Sequence, residues 1–174
     1  HILMFAGGFS AGDEPDGSGK FIASVINNRK VAAAIESLIA RGGLILGICN
    51  GFQALVKSGL LPYGKTGSVT AESPTLFRND INRHVSQMVT TVVATTNSPW
   101  LSNMQIGDAH TVAVSHGEGK FVVSEALAAE LFRNGQVAFR YADPVTLAPT
   151  MQSPANPNGS YYAIEGIISP NGQI

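Results

Sequence analysis

Apolar and polar positions follow two rhythms along this chain of 174 residues. Ile2-Leu3-Met4-Phe5-Ala6 is an unbroken apolar run, the pattern of a buried strand. From Phe21 to Ala40, residues Ile22, Val25, Ile26, Val31, Ile35, Leu38 and Ile39 recur near helical spacing, and Asn27-Asn28 offers a point where the helix can break in two. Gly42-Gly43 stops that helix. Leu44-Ile45-Leu46-Gly47-Ile48 predicts a second fully buried strand, and Phe52 to Ser58 a short helix capped by Gly59. Strand, helix, strand, helix with uniformly apolar strands predicts an α/β fold: an open, mostly parallel sheet flanked by helices.

Farther along, Val89–Thr95, Ala109–Ser115, Phe121–Val123, Val137–Tyr141 and Tyr161–Ile168 predict strands. Ser124 to Phe132 predicts a helix with Ser124 as its N-cap. Ala148 to Gly159, with three prolines and two asparagines, predicts a loop. The whole is expected to be a single domain over residues 1–174. Both ends read as truncated. The first residues are already strand-like, and Ile164–Ser169, the Pro170-Asn171-Gly172 turn and Gln173-Ile174 make half a hairpin.

Composition narrows the class. Apolar residues make up 44% and charged residues only 13%, about half the ~25% usual in soluble domains. With a formal net charge of −1 and no basic patch, neither nucleic acid nor an anionic membrane is expected as a partner. No apolar run approaches the ~20 residues that span a bilayer. The single cysteine, Cys49, excludes an internal disulfide and any CxxC metal site, so no metal is expected and the chain reads as cytoplasmic. Sparse charge and 19 glycines suit a surface buried in a larger assembly. Asn158-Gly159-Ser160 matches a glycosylation sequon and is read as a turn.

The chemistry concentrates in Gly47-Ile48-Cys49-Asn50-Gly51-Phe52-Gln53, directly after an apolar strand and opening a helix. This is a thiol version of the nucleophile elbow, G-x-C-x-G. Glycines flank the nucleophile because side chains there would collide with the adjacent strand and helix. The helix N-terminus favours negative charge at the Cys49 position, and the Asn50 N–H faces where an oxyanion forms in acyl transfer. The bland alternative is a small buried hydrophobe at a tight turn; the sole cysteine at the centre of an elbow favours the nucleophile. Upstream, Gly7-Gly8-Phe9-Ser10 follows the first strand. Loops beyond strand carboxyl ends share one edge in such folds, so Gly7 and Gly8 can bring a second N–H to Cys49. A plain glycine turn is the competing reading. Val114-Ser115-His116-Gly117-Glu118-Gly119 adds a histidine with a carboxylate two residues on, the look of a base and its orienting group.

Together the elbow, Gly7-Gly8-Phe9-Ser10, Gly12-Asp13-Glu14, Arg83-His84, Ser98-Pro99-Trp100, Ser115-His116-Gly117-Glu118-Gly119 and Asn156-Pro157-Asn158-Gly159 resemble a class I glutamine amidotransferase of flavodoxin-like fold. The variant with Asn after the cysteine resembles the glutaminase domain of phosphoribosylformylglycinamidine synthase, most of all its large single-chain form. The resemblance implies that Cys49 attacks the glutamine side-chain amide to give a thioester and ammonia. It implies an oxyanion hole at Gly8 and Asn50, and glutamine held by Gly7, Gly8, Gln53, Ser115, His116 and Gly117. It further implies no cofactor in this domain. ATP and magnesium are expected in a synthetase portion of the same polypeptide, fed with ammonia through an internal passage to convert formylglycinamide ribonucleotide in purine biosynthesis.

One departure stands out. The family's catalytic His-x-Glu follows a Ser-Pro-Asn-Gly turn, here Ser169-Pro170-Asn171-Gly172, and is expected after residue 174. His116-Gly117-Glu118 shares the spacing but belongs to an earlier element, so His116 is read as a decoy for the base and the fragment alone as inactive. His84 and His110 are read as structural or surface residues. Two alternatives stay open: another cysteine hydrolase of the same fold, and a degenerate domain that only docks.

Overall fold

In the computed structural model, which describes residues 1–9 and 17–174, the first third keeps the expected rhythm. β1 (Ile2–Phe5) and β2 (Leu44–Gly47) pair in parallel, from Ile2↔Leu44 to Phe5↔Gly47. Between them lie α1 (Lys20–Ile26) and α2 (Arg29–Ala40). The asparagine pair does divide the helical stretch, because Asn28 caps α2 by accepting the Lys30 N–H at 3.1 Å. After β2 come α3 (Asn50–Ser58), stopped by Gly59 at φ 85°, and the short α4 (Leu60–Tyr63). Gly12-Asp13-Glu14 and Ser10 fall outside the described residues.

The remaining strands correct the expected mostly parallel sheet. β3 (Thr75–Phe77) pairs antiparallel with β6 (Lys120–Val122). β4 (Val85–Val93), β5 (Ala109–His116), β7 (Val137–Ala142) and β8 (Ile164–Ile167) form a four-stranded sheet of order β5-β4-β7-β8, antiparallel at every step. Among the described residues β1–β2 is the only parallel pair. The physical reason is visible along β5, whose residues alternate exposed and half-buried. A strand with one solvated face suits antiparallel pairing, whereas parallel strands are covered on both faces. α5 (Glu125–Arg133) sits between β6 and β7, its cap made by Ser124 Oγ accepting the Leu127 N–H at 3.3 Å.

β1 is also less buried than its apolar run predicts: Ile2 and Met4 are exposed, and only Leu3 and Phe5 reach the core. β2 is flanked on both sides, by β1 and by the Gln173 carbonyl, which accepts the Ile45 N–H at 2.9 Å. The elbow strand is thus interior to its layer. The core gathers Ile26, Ile45, Leu55, Leu60, Phe121, Leu131 and Ile164, all fully buried. Each such side chain contributes about 1.5–3 kcal/mol by leaving water. Because α3 is clamped in this core, the residues at its start are rigidly placed.

Candidate active site

Cys49 stands between β2 and α3 at φ 54°, ψ −111°, backbone that L residues rarely adopt. The turn lifts its side chain to an exposed position at the first turn of α3. Close packing explains both elbow glycines. A β-carbon on Gly47 would run into Leu55 and the Gly51 carbonyl group, and one on Gly51 into the Phe5 carbonyl. Gly7 is confined less severely, since a β-carbon there would stand 3.1 Å from Cβ of Cys49.

Over Cys49 lies a cavity of about 450 Å³. Its walls hold Gly8, Gln53, Ser115, His116 and Gly117, bringing five sequence-predicted residues to the cysteine from three separate stretches of chain. Gly8 has φ 122°, open to glycine alone at low cost. Gly7 lies against Cys49 in space and Asn50 follows it in the chain, but neither lines this cavity. Asn50 is buried at the start of α3.

Sequence reasoning missed four lining residues: Phe9, Ser18, His84 and Glu118 in its wall role. His84, read as a structural or surface residue, is exposed, and it stands at the rim of this cavity. Its Nε2 lies 2.9 Å from Oγ of Ser115, a residue 31 positions away, and nothing local in the sequence signals that pairing. Glu118 was visible as part of the Ser-His-Gly-Glu-Gly element. Its Oε2 accepts the Ser18 N–H at 2.8 Å, and its carbonyl accepts Nε2 of buried Gln53 at 2.8 Å. Buried Asn79 braces the same loop from behind. Its Nδ2 donates to the carbonyls of His116 (2.8 Å) and Arg83 (3.0 Å), and its Oδ1 accepts the Gly119 N–H at 3.0 Å.

Cys49 Sγ is 3.9 Å from the Ser115 carbonyl oxygen. The His116 ring takes another direction: its Nε2 is 3.4 Å from Nδ2 of Asn158, which donates to the Tyr141 hydroxyl at 3.0 Å. Burial holds the His116 pKa below its ordinary value, so the ring favours its neutral form. A narrower cavity of about 280 Å³ runs between Ile45–Cys49 on one side and Glu165–Ile168 on the other, with Ile174 also in its wall. Burial pushes the Glu165 carboxyl up to about 7. Among the described residues no group of three or more His, Cys, Asp or Glu could hold a metal ion, and no helix is long and apolar enough to cross a membrane.

The family model described as a CobB/CobQ-like glutamine amidotransferase domain matches residues 1–174. Phosphoribosylformylglycinamidine synthase subunit PurQ of Gloeobacter violaceus is 35% identical over 173 residues, 99% of this chain and 66% of that protein. The subunit of the same name from Methanococcus maripaludis is 38% identical over 173 residues, 99% of this chain and 62% of its own length. The chain thus spans somewhat under two thirds of these relatives. The solved structure of PurLQS from Thermotoga maritima is similar at a TM-score of 0.70 and 26% identity, over 99% of this chain and 64% of that one. Both relatives are named as subunits, so the expected single-chain form draws no support from them.

Proposed function

Because the chain belongs to the CobB/CobQ-like glutamine amidotransferase domain family, we propose that it is the glutaminase part of a phosphoribosylformylglycinamidine synthase. The observation that carries this reading is the cavity over Cys49, where an elbow cysteine meets Gly8, Gln53, Ser115 and Gly117. Cys49 Sγ attacks the side-chain amide carbon of L-glutamine, and the oxyanion is held by backbone N–H groups of Gly8 and Asn50. The C–N bond breaks as its nitrogen takes a proton, ammonia leaves and a γ-glutamyl thioester remains. Water then attacks the thioester, the C–S bond breaks and glutamate is released. Gly8, Gln53, Ser115, His116 and Gly117, which line the cavity, hold the substrate, while Gly7 backs Cys49.

The base is a His-x-Glu pair outside residues 1–174. The direction of the His116 ring, whose Nε2 meets Asn158 Nδ2 and not Cys49, supports placing the base elsewhere than at His116. ATP and magnesium act in a synthetase partner that uses the ammonia, in the cytoplasm. The relatives' naming as subunits and the likeness to a PurLQS structure favour a separate partner chain over the same polypeptide.

Intact-mass spectrometry before and after exposure to a diazo-ketone analogue of glutamine tests the reading. One stoichiometric adduct is expected, suppressed by glutamine and abolished in Cys49→Ser. No adduct on full-length protein would sink the glutaminase reading and favour a docking role. Steady-state turnover by residues 1–174 alone would instead return the base to His116.

A further inference from the structure

Residues 77–84 lead from the end of β3 to the start of β4 and gather charge and apolar surface in a chain poor in charge. Phe77 is 61% exposed and Ile81 46%, and Arg78, Arg83 and His84 are exposed beside them. The segment is nevertheless held from behind. Buried Asn79 donates its N–H to the Gly117 carbonyl at 3.0 Å, and its own carbonyl accepts the Asn82 N–H at 2.8 Å. The Asp80 N–H donates to the Asn158 carbonyl at 3.2 Å, and the Asp80 carboxylate pairs with Lys120. A surface already ordered in this way loses little conformational freedom on docking. Arg78 and Arg83 line a hollow of about 220 Å³ that shares His84, Gly117 and Glu118 with the cavity over Cys49. Glu118 is the one carboxylate lining the hollow, and its Oε2 already accepts the Ser18 N–H at 2.8 Å. Neither guanidinium has an ion-pair or hydrogen-bond partner among the described residues. Two cations against one carboxylate leave the hollow positive. Exposed aromatic and arginine side chains together are the composition of an interface centre, and free guanidinium groups call for an anionic counterpart.

Resting on the glutaminase reading of that cavity, we propose that residues 77–84 are the docking surface for the synthetase partner, which sets a carboxylate side chain between Arg78 and Arg83 and apolar side chains on Phe77 and Ile81. A chain that consumes the ammonia made at Cys49 must meet this protein beside the cavity, because ammonia released to water takes up a proton and ceases to be a nucleophile. Residues 77–84 border that cavity through His84, so a chain seated on them covers its rim. The planar guanidinium groups suit an Asp or Glu of the partner, and the apolar contact on Phe77 and Ile81 excludes water around that pair.

Calorimetric titration of the full-length protein with its purified synthetase partner, at low and at high salt, tests this. Arg78→Glu and Arg83→Glu should each weaken the complex about tenfold or more, and Arg78→Lys and Arg83→Lys should weaken it less. The affinity of the parent should fall with added salt more steeply than that of the double charge reversal. Lys30→Glu, which reverses an exposed charge on α2, should bind as the parent does. Labelling of Cys49 by the diazo-ketone analogue of glutamine reports separately on the fold and on the glutaminase site, and it should proceed at the parent's rate in every variant. Parent-like affinity in the double variant, equal weakening by Lys30→Glu, or a parent that is labelled yet binds no partner overturns the proposal and leaves the glutaminase reading standing. A parent that is not labelled overturns the glutaminase reading itself, and this inference with it.

Discussion

Gly51, in the first turn of α3, rests so close to Phe5 at the end of β1 that a β-carbon on it would overlap the Phe5 carbonyl oxygen. That contact seats the helix N-terminus directly behind Cys49. Overpacking against backbone has no side chain to yield, so Gly51→Ala should cost about 3 kcal/mol or more, or abolish folding. Gly117→Ala is the matched control, since no atom lies within 4 Å of its would-be β-carbon. It should stay within about 1 kcal/mol of the parent. Urea unfolding of the two variants decides the matter, and equal midpoints would refute the packing argument.

Gln53 ties α3 to the Ser115–Gly119 loop through its Nε2–H bond to the Glu118 carbonyl. Gln53→Leu keeps the bulk but leaves that buried-side carbonyl without this donor. A loss of about 1–3 kcal/mol is expected. Labelling of Cys49 by the diazo-ketone analogue should slow as well, because the loop forms the far wall of the cavity. Stability lost with labelling unchanged would confine Gln53 to a structural role.

Local features of the chain were legible before the fold was known; long-range ones were not. The elbow, the Asn28 break and the Ser124 cap each depend on a few neighbouring residues, and all three stand where the pattern puts them. The direction of the strands depends on partners far along the chain. Along β5 the small residues Thr111, Ala113 and Ser115 face solvent and alternate with half-buried Val112 and Val114, a pattern that Ala113 blurs in the sequence, and two apolar strands at the start pulled the reading toward a parallel sheet. His84 escaped for a related reason, as its meaning lies in Ser115 on the next strand. The sequon at Asn158 is a turn whose asparagine is 1% exposed, so its side chain serves the fold.

Asn158 is where several elements meet. Its Oδ1 accepts from the Ser160 N–H at 3.0 Å and the Ser160 hydroxyl at 2.7 Å, while its Nδ2 donates to the Tyr141 hydroxyl. Ser160 Oγ in turn accepts the Phe121 N–H at 3.0 Å. Asn158→Ala strands several of these buried groups at once and should cost about 3 kcal/mol. Tyr141→Phe removes one hydroxyl together with its share of the network, so it should cost less, about 1 kcal/mol. Chemical denaturation ranks the pair, and a Tyr141→Phe loss equal to that of Asn158→Ala would contradict the assigned order.

Glu165 and His116 give the protein opposite dependences on pH. Burial raises the folded Glu165 pKa from 4.5 to about 7, so the folded state holds a proton that the unfolded state has released between those values. Stability from this group is complete below about pH 4.5 and is lost as pH rises through 7. His116 is shifted down from 6.5, so its contribution is present above that value and is lost as pH falls. Glu165→Gln isolates the first effect because it leaves His116 in place. Relative to the parent, the variant should gain on the order of 3 kcal/mol between pH 4.5 and pH 8. Urea titrations at pH 5, 6.5 and 8 supply the comparison. A difference between the two proteins that does not change with pH would show that the Glu165 carboxyl ionises normally in the folded state.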